Sequence, residues 1–474
     1  MKFLSLLLLL GILNTSAQPT LKRVDGSVIR AATLDTALPN IMRQAGVIGL
    51  NIAVVNGAMP VYHGVFGWRD REAALPPDTN TVFEAASLTK PLFAYLVMGL
   101  VKEKIVHLDT PLYKYLEYKD ITHDPRHKLV TARMVLSHSS GLPSGRNGCR
   151  MEFVYDPGKY FNYSPEGYFY LQLIVEKLLN KNLETIMKER VFDPLGMTHS
   201  SLVWTEIAEK NHTIGYDYLE NKRVEKWKPD KASAMSSLQT TAGDYARFLR
   251  EMMTAAILGK EQQKQMLTPQ VEVISRDSTL WWSLGFGVDK TTSKPAYYQW
   301  GSNYGAQNLV VFYPEQQIGV VYFVNNEHGL QIKDDVLELT IGGKYSTDKF
   351  LTYDQYNSLT RRLTKAYDQN GIEQTLDTFR RFQKIHQSMV TNRQLDELAG
   401  HVLNKGNSND AVRILKLNTS LYPKSWKTHA ALAEAYLKQN DQQNYLGSLL
   451  KAIKYSPNPE LLLHPLQQTG IKWR

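Results

Sequence analysis

Phe83-Glu84-Ala85-Ala86-Ser87-Leu88-Thr89-Lys90-Pro91 is the stretch from which the rest of the chain is read. It places a hydroxyl three residues ahead of an amine, directly before the run 92–100. That run is apolar on every face, the pattern of a buried helix and not of a surface one. Pro91 is tolerated only near a helix start, so the helix is expected to begin close to Ser87. Residues three apart then share a face, which brings the Lys90 ammonium within reach of the Ser87 hydroxyl. The free N–H groups and positive potential of a helix N-terminus would lie beside a developing oxyanion. A serine can be activated in this way without a histidine. Ser-x-x-Lys also recurs by chance, and its ordinary reading is an exposed serine and a solvated lysine. Its weight depends on the rest of the chain.

The 474 residues, 43% of them hydrophobic, suffice for two or three domains with ordinary cores. Met1-Lys2, the apolar segment 3–13 and the small residues at Thr15-Ser16-Ala17 form the pattern of a secretory signal peptide. Cleavage is expected after Ala17, leaving a mature chain from Gln18 that is secreted or periplasmic; the alternative is an uncleaved anchor. No cysteine follows the apolar segment, which argues against a lipid anchor, and no later stretch has the length of a transmembrane helix. Cys149 is the only cysteine, so no intrachain disulfide is expected, and its place in a glycine-containing loop gives it no evident role. The net charge of +9 has no concentrated basic run behind it. That speaks to solubility and surroundings, and against nucleic acid as a partner. No metal-ligand cluster is visible, and no metal or cofactor is expected.

Further along, residues 47–55 and 61–68 read as a β-hairpin turning at Gly57. His138 lies in the turn Leu136-Ser137-His138-Ser139-Ser140-Gly141-Leu142-Pro143, where a histidine more often orders backbone than catalyses. The second chemical motif is the loop 156–168, which delivers Tyr163 just ahead of a helix over 168–180. A phenol titrates near 10, and an adjacent ammonium can lower that by roughly 1 to 3 units. Tyr163 could then take the Ser87 proton and pass it to a leaving group.

Five segments occur in a telling order: Ser87-Leu88-Thr89-Lys90, the 136–143 turn, Tyr163-Ser164, Val191-Phe192-Asp193-Pro194-Leu195-Gly196-Met197, and Leu238-Gln239-Thr240-Thr241-Ala242-Gly243-Asp244-Tyr245-Ala246-Arg247-Phe248. Together they resemble the serine hydrolases built on the class C β-lactamase plan. That group holds β-lactamases, D-Ala-D-Ala peptidases, D-aminopeptidases and family VIII carboxylesterases. The resemblance covers roughly residues 30–345 and implies an antiparallel sheet flanked by helices with an all-α subdomain. It also implies Ser87 as nucleophile, with Lys90 and Tyr163 sharing the proton relay.

The third motif is Tyr297-Tyr298-Gln299-Trp300-Gly301-Ser302-Asn303-Tyr304-Gly305, entering a hairpin of 309–313 and 318–324. In the family a Lys-Thr-Gly or His-x-Gly triplet walls the site. Register taken from Gly305 sets Trp300-Gly301-Ser302 at that triplet. The resemblance then implies that the Asn303 N–H joins that of Ser87 as the oxyanion hole, with Asn325 near a substrate carboxylate. Two departures stand out: Trp300 replaces the triplet's cation, and Pro165 replaces the Asn expected two residues after the tyrosine. Losing a charge-assisted contact of about 1.5–3 kcal/mol weakens a β-lactam or D-peptide by one to two orders of magnitude. A Trp-Gly-x triplet is also similar to that of family VIII carboxylesterases. Esters or small acyl substrates are therefore expected, with β-lactamase or D-Ala-D-Ala/D-aminopeptidase action as the alternative. A non-catalytic, penicillin-binding-like sensor is the third reading.

After Gly342-Gly343 the chain turns helical and polar. Leu398-Ala399 recurs as Leu432-Ala433, Leu403 as Leu437, Leu415 as Leu449 and Pro423 as Pro457, each 34 residues on, the tetratricopeptide period. The expected organisation is a signal peptide over 1–17, an α/β hydrolase over 18–345 and an all-α repeat domain over 350–474. Two repeats bury little core alone, so a third copy or docking on the hydrolase is expected, and the tail reads as a module for a protein partner or self-association.

Overall fold

Turn chemistry sets one edge of the main sheet. β3 (Gly49–Asn56) and β4 (Met59–Gly67) form the hairpin expected around Gly57. Gly57 and Ala58 both have φ near +57°, the backbone of a primed turn whose twist matches that of the strands it joins. This is a computed structural model that describes residues 20–145, 150–218, 220–276, 278–345, 355–356, 358–385 and 390–456. The segment 1–17, Cys149 and Pro457 lie outside the described residues.

β1 (Thr20–Lys22) and β2 (Val28–Arg30) make a short ribbon, and β5 (Phe83–Ala86) pairs with β6 (Leu238–Thr240). The remaining strands are β7 (Val271–Glu272), β8 (Leu280–Trp282), β9 (Gly287–Asp289), β10 (Ala296–Asn303), β11 (Ala306–Tyr313) and β12 (Ile318–Val324). With the hairpin they form an eight-stranded sheet in the order β4-β3-β12-β11-β10-β9-β8-β7. Each neighbouring pair in it is antiparallel. β11 and β12 are buried at every position, so both faces of the sheet centre are covered. The helix Ala242–Thr254 packs on β3, β4 and β12, and the helix Ala31–Ala45 packs on β4.

The helix Thr89–Lys102 buries 11 of its 14 side chains, as its all-round apolar sequence requires. Leu92, Phe93 and Leu96 share one core with Tyr168, Leu171 and Ile174 of the helix Pro165–Leu179. Full burial of each such side chain is worth about 1.5–3 kcal/mol. The helix begins at Thr89, so Ser87 stands in the turn just before it and Lys90 in its first turn.

The chain divides between 353 and 354 into two compact units. In the second, the helices Asn392–Asn404 and Ser408–Leu421 are followed by Trp426–Lys438 and Gln442–Tyr455. Both members of the hairpin thus restart after 34 residues. Leu398, Ala399, Leu415, Leu432, Ala433 and Leu449 are buried in one core. Leu437 departs from the repeat: it is 51% exposed, whereas its counterpart Leu403 is buried. The earlier helix Leu359–Ile385 breaks at Gly371, where φ is +75°, and contributes Leu376 and Phe379 to the same core.

Candidate active site

Three pieces of backbone meet at Ser87. The first is β5 itself. Its pairing with β6 slips between Glu84 and Ala86, and Ala86 takes a left-handed φ of +51°. An alanine in that region costs about 1–2 kcal/mol, and the kink turns the chain from strand into helix at the serine. Lys90 then folds back as the i, i+3 spacing requires: its Nζ lies 2.9 Å from Ser87 Oγ. A second partner, the main-chain carbonyl of Met235, accepts from Nζ at 2.6 Å. Nζ also sits 5.1 Å from the ring centre of Tyr163 and 5.8 Å from that of Tyr168. The amine is enclosed by apolar and aromatic groups, and burial pushes it down to about 7.

The second piece is the loop carrying Tyr163. Ser164 caps the helix Pro165–Leu179 by accepting from the Gly167 N–H, and Pro165 occupies the first helical turn. That is a position where a missing N–H costs nothing, which accounts for a proline where relatives hold asparagine. Ser164 Oγ donates to the Pro143 carbonyl, and Asn162 Nδ2 donates to that of Leu142. The loop is thereby tied to the 136–143 turn. Burial pushes the Tyr163 phenol up to about 12, against the lowering effect of hydrogen bonds from Ser87 and Gln299. The expected lowering by the Lys90 ammonium is not found, because desolvation dominates both groups.

The third piece is β10. Gly301 lies against β5 so closely that a Cβ there would sit 2.4 Å from the Ala85 carbonyl oxygen and 3.2 Å from the Ala86 methyl. Two residues earlier, Gln299 Nε2 donates to Tyr163 Oη at 3.1 Å and to the Ser87 carbonyl at 3.3 Å. The carbonyl fixes the amide orientation, since the opposite flip would set two oxygens together. The reading of Trp300-Gly301-Ser302 as the triplet is therefore one residue late. Gln299-Trp300-Gly301 faces the serine, and a neutral amide occupies the cation's place.

The oxyanion expectation moves by the same step. Asn303 pairs with Ala306 across the two-residue turn Tyr304-Gly305. The closing pair of such a hairpin exchanges both main-chain hydrogen bonds, so the Asn303 N–H points at β11. Alternation turns the Ser302 N–H to the other edge, which β9 covers only as far as Tyr298. The Asn303 side chain donates to Glu84 Oε1 at 2.5 Å, and the buried Glu84 also pairs with Arg223 at 3.3 Å. Trp300 lies tilted 5.4 Å from Tyr163 and edge-on 5.9 Å from Trp282, and makes an aromatic wall. Phe161 packs 5.2 Å from Trp282 and, with Tyr155, Tyr160 and Trp281, lines a groove of about 710 Å³.

Asn325 spends its side-chain donors on main chain. It is buried, and its Nδ2 donates to the carbonyls of Trp68 and Ile214. It ties segments together and has no donor left for a ligand. Two functional groups escaped sequence reasoning. Gln299 could have been found by counting back from Gly301 along one face of a strand. The Met235 carbonyl has no side-chain signature at all. Among the described residues no group of three His, Cys, Asp or Glu side chains is placed to hold a metal ion, and no helix is long and apolar enough to cross a membrane.

The chain is similar to a putative penicillin-binding protein, PbpX, of Bacillus subtilis (strain 168), with 22% identity over 255 residues, 51% of this chain and 64% of that protein. Protein flp of Staphylococcus aureus (strain COL) is 22% identical over 202 residues, 39% of this chain and 41% of that protein. The chain thus spans less than two thirds of these relatives. Among solved structures, the octameric penicillin-binding protein homologue from Pyrococcus abyssi matches with a TM-score of 0.59 at 23% identity, covering 71% of this chain and 82% of that one. A class C beta-lactamase matches with a TM-score of 0.56 at 18% identity, covering 65% and 95%. D-alanine carboxypeptidase AmpC from Burkholderia cenocepacia matches at 0.56 and 20%, covering 65% and 97%. These likenesses bear on the fold, a β-lactamase-like sheet flanked by helices. The family model described as Beta-lactamase matches residues 34–341, and the chain belongs to that β-lactamase and penicillin-binding-protein-like family of serine hydrolases.

Proposed function

We propose that the protein is an exported acyl hydrolase that works through an acyl-enzyme on Ser87, with esters or small acyl compounds as substrates. The observation that supports it is a buried lysine, lowered to about 7, with Nζ 2.9 Å from a serine Oγ at a kinked helix entrance. A neutral Lys90 uses its lone pair to take the Ser87 proton as Oγ bonds to the carbonyl carbon. The carbonyl oxygen becomes an oxyanion facing the N–H groups of Ser87 and Ser302. Tyr163, protonated at neutral pH, donates its proton to the leaving oxygen and is reprotonated from Lys90 as the C–O bond breaks. Water then attacks the acyl carbon, loses its proton to the same relay and releases the acid from Ser87.

The substrate preference rests on what lines the site. Gln299 is uncharged and Trp300 is apolar, so the wall offers an acyl or alkoxy group van der Waals contact and offers a carboxylate no cation. A second reading, cleavage of D-alanyl peptides or β-lactams, is favoured by the likeness to a putative penicillin-binding protein and a D-alanine carboxypeptidase. One panel separates them. p-Nitrophenyl butyrate, nitrocefin and a D-Ala-D-Ala peptide are offered to parent and Ser87→Ala proteins. Butyrate turnover lost in Ser87→Ala, with nitrocefin at least about tenfold poorer in kcat/KM, is the expected result. Butyrate turnover that survives Ser87→Ala at the parental rate refutes the assignment. Export rests on the segment 1–17. The 34-residue hairpins of the second unit support a tetratricopeptide-like module that docks a protein partner or a second copy.

A further inference from the structure

Tyr163 is held from both sides of its own backbone by one residue. The N–H of Asn162, just before it, donates to the main-chain carbonyl of His138 at 2.7 Å. The N–H of Ser164, just after it, donates to Nδ1 of the same histidine at 3.0 Å. The imidazole itself lies 4.2 Å from the Tyr163 ring at 33°. Trp300 and Trp282 also flank the ring, at 5.4 Å and 30° and at 5.8 Å and 75°. His138 takes a left-handed φ of +54°, uncommon for a bulky residue, and it is this turn that lets carbonyl and side chain address the same tripeptide. The histidine is wholly buried, and its carbonyl and Nδ1 both serve the 162–164 segment.

We propose that His138 is the positioning residue for Tyr163: its carbonyl, its Nδ1 and its ring together fix where the phenol oxygen stands relative to Ser87 Oγ. A tyrosine at the end of a loop has two free χ angles and a mobile backbone. Two hydrogen bonds flanking the residue remove the backbone freedom, and the stacked imidazole removes that of the ring. Because Nδ1 accepts, the imidazole proton sits on Nε2, and the tautomer is part of the device. This inference rests on the serine hydrolase reading and adds a residue that acts on the reaction only through another.

The test uses the full chain and an ester turned over by Ser87. His138→Asn keeps an acceptor where Nδ1 stood; His138→Leu keeps bulk without it; His138→Gln moves the acceptor one methylene along. His138→Leu should lose ~100-fold in kcat, the cost of about 1 Å of misplacement, with KM within about threefold. His138→Asn should recover about tenfold of that loss, one hydrogen bond's worth. A merely structural histidine would lower the melting temperature of all variants and leave kcat of the folded fraction alike. Should His138→Leu fail to fold, His138→Asn against His138→Gln makes the same comparison. Folded Leu at the parental kcat, or Asn and Gln equally slow, overturns the proposal. In either case a dead Ser87→Ala keeps the hydrolase reading standing, whereas a Ser87→Ala that still turns over the ester sinks both.

Discussion

The titration of Lys90 should govern acylation. Burial brings its ammonium down from the ordinary 10.5 to about 7. At pH 7 roughly half the molecules then carry a neutral amine at Ser87 Oγ, against about 0.03% for an unshifted lysine. kcat/KM for a neutral ester should climb about tenfold per unit from pH 5 to just below 7 and level off above it. Tyr163, near 12, stays protonated across that range, and burial and the Lys90 charge hold His138 well below its usual range. Neither bends the curve. The same shift has a sign for stability. The folded value lies below the unfolded one, so the penalty of a buried ammonium is full below about 7. Between about 7 and 10.5 the unfolded chain binds the extra proton, and stability rises with pH. Three and a half units at ~1.4 kcal/mol set the penalty at about 5 kcal/mol at most. Lys90→Met removes it but also removes the bonds to Ser87 and Met235, about 1 kcal/mol each, and leaves a buried carbonyl unpaired for about 1–3 more. The variant should be inactive yet no less stable than the parent at pH 6, with any advantage shrinking towards pH 10. Rate measurements with p-nitrophenyl butyrate from pH 5 to 9, beside calorimetry of both proteins at pH 6 and 9.5, decide it. A rate flat from pH 5 to 8, or one that rises only near 10, refutes the reasoning.

Two further substitutions test β10. Gly301→Ala drives a methyl into the Ala85 carbonyl at 2.4 Å and should cost about 1–3 kcal/mol by overpacking. It should also cost ~100-fold in kcat by displacing the strand from the serine, read as a melting temperature and an ester rate on one preparation. Gln299→Met keeps the length of the side chain but removes both donors, to Tyr163 and to the Ser87 carbonyl. Its kcat should fall ~10-fold or more with little change in KM, and an unchanged kcat would show that the amide is packing alone.

Much of this was legible in the sequence, for a definite reason. Ser87, Lys90 and Tyr163 have side chains whose chemistry has few other uses in combination, and the apolar run 92–100 could be only a buried helix. Positions defined by main chain were not legible in the same way. The Met235 carbonyl has no residue type, and the oxyanion N–H depends on where a hairpin closes. Counting from Gly305 alone left that one residue out of step. The larger lesson concerns charge. Read as neighbours on a string, an ammonium beside a phenol should pull the phenol's proton off, and the pair would be charged on both members. In the folded chain both groups are dry, and desolvation disfavours the charged form of each. It moves the amine down towards 7 and the phenol up towards 12, which leaves about half the amines neutral at pH 7 beside a protonated phenol. Gln299, uncharged where relatives place a cation, does nothing to tip that balance. The roles proposed above, lysine as base and tyrosine as proton donor, thus rest on burial and not on proximity.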